Sequence, residues 1–267
     1  MDRPQLLAAI RERQSFLCVG LDPDPGRIPP QFGGDVMAFN RAIIDATRPY
    51  CVAYKPNTAF YEALGLDGTS VLQQTIQYIG DSHFVIADAK RGDIGNTSRY
   101  YARFAFDTLG ADAITVAPYM GRDSVAPFLE TPGKWTILLA LTSNAGSDDF
   151  QHTTQQDDGM PLYEKVMRRA MEWGSADRLM FVCGATQAER FEDLRRISPH
   201  HFFLVPGIGA QGGDLAAVCR YGMTEDCGLL VNSSRGILYA RDPERAAAEL
   251  QESMAASLRK YCPKLSR

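Results

Sequence analysis

FVIADAKRGDIGNTS, residues 84–98, decides how this chain is read. It opens as a continuous apolar run, stops abruptly in charged residues and then turns into polar sequence with helical character. An uninterrupted apolar run of this length marks a strand buried on both faces, as in a parallel sheet. Working outward, the same kind of run occurs at FLCVGL (16–21) and CVAYK (51–55) before it, and at AITVA (113–117) and TILLALT (136–142) after it. LMFVC (179–183), FFLVP (202–206) and GLLVN (228–232) bring the number to eight. Helical segments lie between them, at 35–48, 68–80, 97–109, 161–174, 186–196 and 213–221, and a final amphipathic helix is predicted over Pro243–Tyr261. Strand and helix alternating without reversal predict a parallel α/β sheet. Eight such units in about 250 residues predict a closed (β/α)8 barrel, with a doubly wound open sheet as the alternative on pattern alone.

Length and composition agree with one barrel domain over residues 1–267. The 267 residues are 45% hydrophobic and 22% charged, which excludes disorder, collagen-like repeats and small disulfide scaffolds. A chain this long buries enough surface to need neither disulfide nor metal to hold its core. Against 28 Lys and Arg stand 32 Asp and Glu, a net charge of −4, which argues against a broad nucleic-acid-binding face but leaves room for a local cationic pocket. The N-terminal MDRPQLLAAIRERQS reads as a short amphipathic helix, too charged for a signal peptide. No apolar stretch approaches the roughly 20 residues that cross a bilayer. The six cysteines show no CxxC and no zinc spacing, so they read as reduced core thiols, and the four histidines form no ligand set. The expectation is a cytoplasmic protein with no metal and no nucleic-acid or membrane partner. One long polar loop, NAGSDDFQHTTQQDDGMP (144–161), follows the fifth strand; it reads equally as a lid or as a passive insertion.

In a (β/α)8 barrel the chemistry sits at the carboxyl ends of the strands. Strand one ends in Asp22, strand two in Lys55, and strand three in Asp88, followed by Lys90 and Asp93; strand five ends in Thr142 and Ser143, and strand eight leads into SSRG (233–236). Charges that terminate buried strands need partners, because an isolated buried charge is very costly. Alternation along a strand puts Asp88 and Lys90 on one side, with Ile86 below them. Asp93, beyond the strand end, either returns to the site or points at a neighbouring subunit. A lysine among carboxylates stays protonated, which suits a proton donor and carbanion stabiliser rather than a Schiff-base nucleophile.

A second signal is VPGIGAQGGDL (205–215), in which Gly207, Gly209 and Gly212 spell GxGxxG between a strand and a helix. The dinucleotide fingerprint also needs an acidic residue at the end of the next strand, and here that strand ends in Asn232-Ser233-Ser234-Arg235. What survives is an anion cradle of backbone N–H groups after strand seven, completed by the fixed guanidinium fork of Arg235 after strand eight.

DAKRGDIGNT closely resembles the DxKxxD signature of the orotidine 5'-phosphate decarboxylase family. LDPD (21–24), AYKPNTAFYEALG (53–65), LTSNAGS (141–147), PGIGAQGG (206–213) and NSSRGILYA (232–240) match the same family in the same order, most like its longer bacterial branch. The resemblance runs from about Leu17 to Ala240. It implies decarboxylation of orotidine 5'-phosphate to uridine 5'-phosphate without cofactor or metal, in a homodimer. By the same resemblance Lys90 is the proton donor to the carbon that loses CO2, Asp88 sits against the substrate carboxylate, and Lys55 completes the charged chain and touches the ribose. Asp93 and Thr97 reach across the dimer interface. Asp22 holds ribose hydroxyls, Ser143 the pyrimidine edge, and Gln211 and Arg235, with Gly209 and Ser234 beside them, the phosphate. Magnesium-dependent sugar-phosphate decarboxylases and formaldehyde-fixing synthases share DxKxxD but carry an acidic residue where this chain has Lys55, which would repel a metal. A lysine Schiff-base aldolase and a non-catalytic phosphate-binding barrel are the remaining alternatives.

Overall fold

The computed structural model describes residues 1–266 except 155, 157, 186, 187 and 209–212. All eight apolar runs are strands: β1 (Leu17–Leu21), β2 (Ala53–Pro56), β3 (Phe84–Arg91), β4 (Ala113–Val116), β5 (Trp135–Leu141), β6 (Leu179–Cys183), β7 (Phe202–Val205) and β8 (Leu229–Ser233). Each pairs in parallel with the next, and β8 returns to β1 through Leu17↔Val231, Cys18↔Asn232 and Val19↔Ser233, so the sheet closes into a barrel. The closed-barrel reading holds and the open-sheet alternative does not. Strand residues are buried almost throughout, and the change comes in β3, whose first five residues are buried while the last three emerge towards solvent.

Helices between the strands carry apolar faces against the barrel. Val36–Thr47, for example, buries Phe39, Ile43 and Ile44 and is capped by Asp35, whose carboxylate accepts the Ala38 N–H. The last helix, Pro243–Tyr261, has the bounds predicted for it, fixed by an Asp242 cap and a proline in its first turn. Other spans shift by a few residues. The segment expected at 97–109 starts earlier as Gly95–Arg103 and finishes as a π-turn over Phe104–Thr108. One crossover helix, Arg122–Leu129, has no counterpart in the helical segments read from sequence. Pro127 lies inside it, where proline removes a helical N–H, so the local pattern does not announce a helix.

The N-terminal helix Arg3–Arg13 crosses the amino-terminal end of the barrel. Arg3 donates to the carbonyls of Ala176 and His200, just before β6 and β7, and Arg13 donates to that of Ser82, just before β3. Trp135, the first residue of β5, donates its indole N–H to the Met1 carbonyl at 3.0 Å. Leu6, Ala9 and Ile10 of this helix are buried. With that end covered, the carboxyl ends of the strands form the open mouth. All six cysteines are buried and free, and burial pushes the Cys51 thiol up to about 12. Among the described residues no helix is long and apolar enough to cross a membrane.

Candidate active site

Asp88 is the hub of the barrel mouth. Its Oδ2 accepts from Lys55 Nζ of β2 at 2.6 Å, and its Oδ1 accepts from Lys90 Nζ at 2.6 Å and from the Thr115 hydroxyl of β4 at 2.9 Å. Burial alone would raise the carboxyl pKa, but the two ammonium groups and their hydrogen bonds outweigh it and hold Asp88 well below the usual carboxylate range. The same contest plays out at Lys55. Desolvation disfavours its charge, yet Asp88 foremost and Asp22 behind it push its pKa above the ordinary lysine value. Lys55 therefore stands as a buried cation against the Asp88 anion. Lys55 is sealed in, whereas the Lys90 side chain is 48% exposed and faces the mouth.

Asp88 and Lys90 share a side, as alternation predicts, but regular pleating is not the cause. Ala87 pairs with Ile114 and Arg91 with Val116, so β3 runs four residues against two of β4 and bulges between them. Within the bulge Lys90 takes φ +48°, a left-handed conformation that side-chain-bearing residues rarely adopt. Its N–H donates to the Thr115 hydroxyl at 2.9 Å, in place of the ladder carbonyl that a regular strand would supply.

The other residues singled out from sequence sit around the same rim. Asp22 follows β1, Ser143 follows β5 by two positions, Ser234 follows β8, and the exposed Arg235 begins a short helix, Arg235–Leu238. Two close approaches depend on glycine: a Cβ on Gly20 would fall 1.8 Å from Ser234 Oγ, and one on Gly184 would fall 2.6 Å from Ser143 Cβ. Two acceptors at the rim, Asp22 Oδ1 and Asn232 Oδ1, are buried and take no hydrogen bond from the described residues. Gly209, Gln211 and Gly212 lie outside the described residues. Loop 144–161 is tied to the end of β5 by Gln151, whose amide accepts from the Thr142 N–H and donates to its hydroxyl, each at 2.8 Å.

Asp93 and Thr97 are not drawn into the Asp88 cluster. Asp93 Oδ1 accepts from the neighbouring Ile94 N–H at 2.7 Å, and no ion pair among the described residues links it to Lys55 or Lys90. Thr97 is exposed in the first turn of Gly95–Arg103. Around them lie exposed apolar side chains: Ile94 at 59%, Tyr100 at 62%, Tyr119 at 88% and Met120 at 48%. The segments bearing them are packed together, with Ser98 donating to the Ser124 carbonyl at 3.0 Å.

Sequence reasoning passed over Thr115 and gave Asn232 no role of its own, placing it only within the stretch that fails the dinucleotide fingerprint and at the head of the NSSRGILYA motif. The available signal was polarity inside an apolar strand: a buried hydroxyl or amide needs a partner, and both side chains are buried. Among the described residues no group of three or more His, Cys, Asp or Glu comes together in a way that could hold a metal.

The sequence model of the family described as "Orotidine 5'-phosphate decarboxylase / HUMPS family" matches residues 15–250. An orotidine 5'-phosphate decarboxylase from Bacteroides fragilis is 54% identical over 272 residues, covering 97% of this chain and 99% of its own. One from Phocaeicola vulgatus is 56% identical over 253 residues, covering 92% of this chain and 93% of its own. Among solved structures, the OMP decarboxylase of Leishmania donovani superposes with a TM-score of 0.87 at 39% identity, over 96% of this chain and 99% of that one.

Proposed function

This chain belongs to the orotidine 5'-phosphate decarboxylase / HUMPS family, and on that premise we infer that it removes CO2 from orotidine 5'-phosphate to give uridine 5'-phosphate, the last step of pyrimidine nucleotide synthesis. The observation that carries this reading within the family is the Lys55–Asp88–Lys90 chain in the barrel mouth, with a buried lysine at the end of β2 where the magnesium-dependent relatives carry an acidic residue.

The bond that breaks joins C6 of the pyrimidine to its carboxylate. CO2 departs, the electron pair stays on C6, and no electron sink on the ring receives it. A fixed cation beside C6 lowers the barrier, and it does so without reorganising as the reaction proceeds. Lys90 supplies that cation and then passes a proton from Nζ to C6; the neutral amine recovers a proton from solvent. Asp88 fixes the ammonium of Lys90 and stands beside the departing carboxylate. Lys55 neutralises Asp88 from below and reaches the ribose.

Asp22 offers its buried, unfilled oxygen to ribose hydroxyls, and Ser143 reads the pyrimidine edge. Gly209, Gln211, Ser234 and Arg235 hold the phosphate, the one strongly anionic group remote from C6. Binding energy from that remote group can be used to close the site and raise turnover. Asp93 and Thr97 serve the partner subunit of a homodimer. The apolar side chains around Asp93, together with its lack of an ion pair to its own Lys90, support that assignment. The chain acts as one barrel domain, in the cytoplasm and with no cofactor.

The test is the fall in absorbance of orotidine 5'-phosphate with purified protein in EDTA. Turnover under those conditions is the expected result; activity only after magnesium is added would overturn the reading.

A further inference from the structure

We propose that Thr115 is a positioning residue for this reaction, setting Lys90 and Asp88 as one unit through a single hydroxyl. The proposal rests on the decarboxylase reading above. It starts from hydrogen-bond chemistry at a side chain that is 1% exposed. A threonine hydroxyl has one proton to give and lone pairs to accept with. Asp88, held ionised by two lysines, can only accept, so the proton of Thr115 goes to Asp88 Oδ1 at 2.9 Å. The Lys90 backbone N–H can only donate, so it uses a lone pair of the same oxygen, again at 2.9 Å. Both directions are fixed by the partners, and the hydroxyl cannot be turned to serve another group.

The position of Thr115 gives this bond its consequence. It stands on β4 opposite the bulge of β3, between Ile114, which pairs with Ala87, and Val116, which pairs with Arg91. At the bulge the strand ladder offers Lys90 no carbonyl, and Lys90 adopts φ +48°. A strained conformation persists only where its surroundings over-determine it. Here the surroundings are the Thr115 oxygen on the N–H and the Asp88 oxygen on Nζ, at opposite ends of the same residue. Without the hydroxyl, Lys90 keeps its charge and its salt bridge but loses the bond that sets the direction in which its side chain leaves the strand. A proton donor misplaced by a fraction of an ångström loses rate more than affinity, because the alignment counts chiefly in the transition state.

The experiment compares Thr115→Val, which keeps the branched shape and removes the hydroxyl, with Thr115→Ser, which keeps the hydroxyl. For T115V, kcat is expected to fall roughly 10- to 100-fold, the scale of one or two lost hydrogen bonds, while KM for orotidine 5'-phosphate changes by less than about threefold. T115S restores kcat to within about threefold of the parent. A second readout follows Lys90 without CO2 loss: exchange of the C6 hydrogen of uridine 5'-phosphate in D2O, by NMR, slows by the same factor as kcat in T115V. If T115V does not fold, Thr115→Ala replaces it against the same serine control. Unchanged kcat in the valine or alanine variant, an equal loss in T115S, or a change confined to KM would each overturn the proposal. Absence of decarboxylation by the unmodified chain would instead overturn the reading on which it rests.

Discussion

Lys55 Nζ lies 2.6 Å from Asp88 Oδ2, a contact between two strands made by side chains that are 6% and 9% exposed. A pair so far out of water is held by mutual need, since each charge alone would face the desolvation cost unaided. Asp88→Ala is expected to destabilise the chain by about 3–5 kcal/mol, because it leaves a buried ammonium without its counter-ion. The double variant Lys55→Met with Asp88→Leu is expected to recover much of that loss while remaining inactive. Urea denaturation of the two variants checks this; equal stability of the single variant and the parent would refute it.

Lys90 is the exposed end of the same chain of charges, so its removal strikes chemistry more than folding. Lys90→Ala is expected to lower kcat by about 10⁴-fold or more, combining a lost proton donor with a lost fixed charge. Binding of uridine 5'-phosphate, measured by calorimetry, should stay within about tenfold of the parent, since only the transition state needs the cation.

Arg235 is exposed at the rim, after β8. On the phosphate reading, Arg235→Ala is expected to lower kcat/KM for orotidine 5'-phosphate about 100-fold, the scale of a charge-assisted bidentate contact. The discriminating substrate is orotidine without its phosphate, whose slow turnover the substitution should leave unchanged. An equal loss on both substrates would place Arg235 elsewhere in the mechanism.

A site shared between subunits has an arithmetic signature. When Lys90→Ala and Asp93→Ala chains are mixed in equal amounts and allowed to exchange, half of the dimers are mixed and each carries one intact site. Activity is then expected to return to roughly a quarter of the native level. No recovery despite demonstrated exchange would assign Asp93 to its own chain's site.

Stability should depend on pH through two histidines far from the chemistry. Burial, the largest cause at each, lowers His83 and His201 to about 4 from the ordinary 6.5. Above pH 6.5 both are neutral folded or unfolded, and stability is level. As pH falls from 6.5 towards 4 the unfolded chain takes up protons that the fold refuses, and stability is lost, by roughly 3 kcal/mol per histidine at the lower limit. Urea denaturation between pH 4.5 and 7.5 should show this slope, and His83→Gln should reduce it by about one proton. A flat profile in both proteins would contradict the assignment.

What could be read in the residues beforehand, and what could not, divides along a physical line. Continuous apolar runs have few structural outlets, so the eight strands and their parallel order were legible at FVIAD (84–88) and its counterparts. The crossover helix Arg122–Leu129 was not, because Pro127 and the glycines near its ends imitate a loop until neighbouring elements pack on it. The charged hub was legible because charges at the ends of apolar strands are conspicuous. Thr115 was not, since one hydroxyl in AITVA looks like ordinary strand composition until the bulge opposite it appears.

The ring-closing register Leu17↔Val231 joins residues from nearly opposite ends of the chain. During synthesis, therefore, β1 has β2 on one side and nothing on the other until almost the last of the barrel sequence has been made. An unpaired strand edge is a template for unwanted pairing, and contacts between distant residues form slowly. The enclosure that makes the finished barrel free of edges leaves any sheet formed during synthesis open on two sides, at β1 and at its newest strand. Closure of the sheet must wait for β8, the last strand to be made.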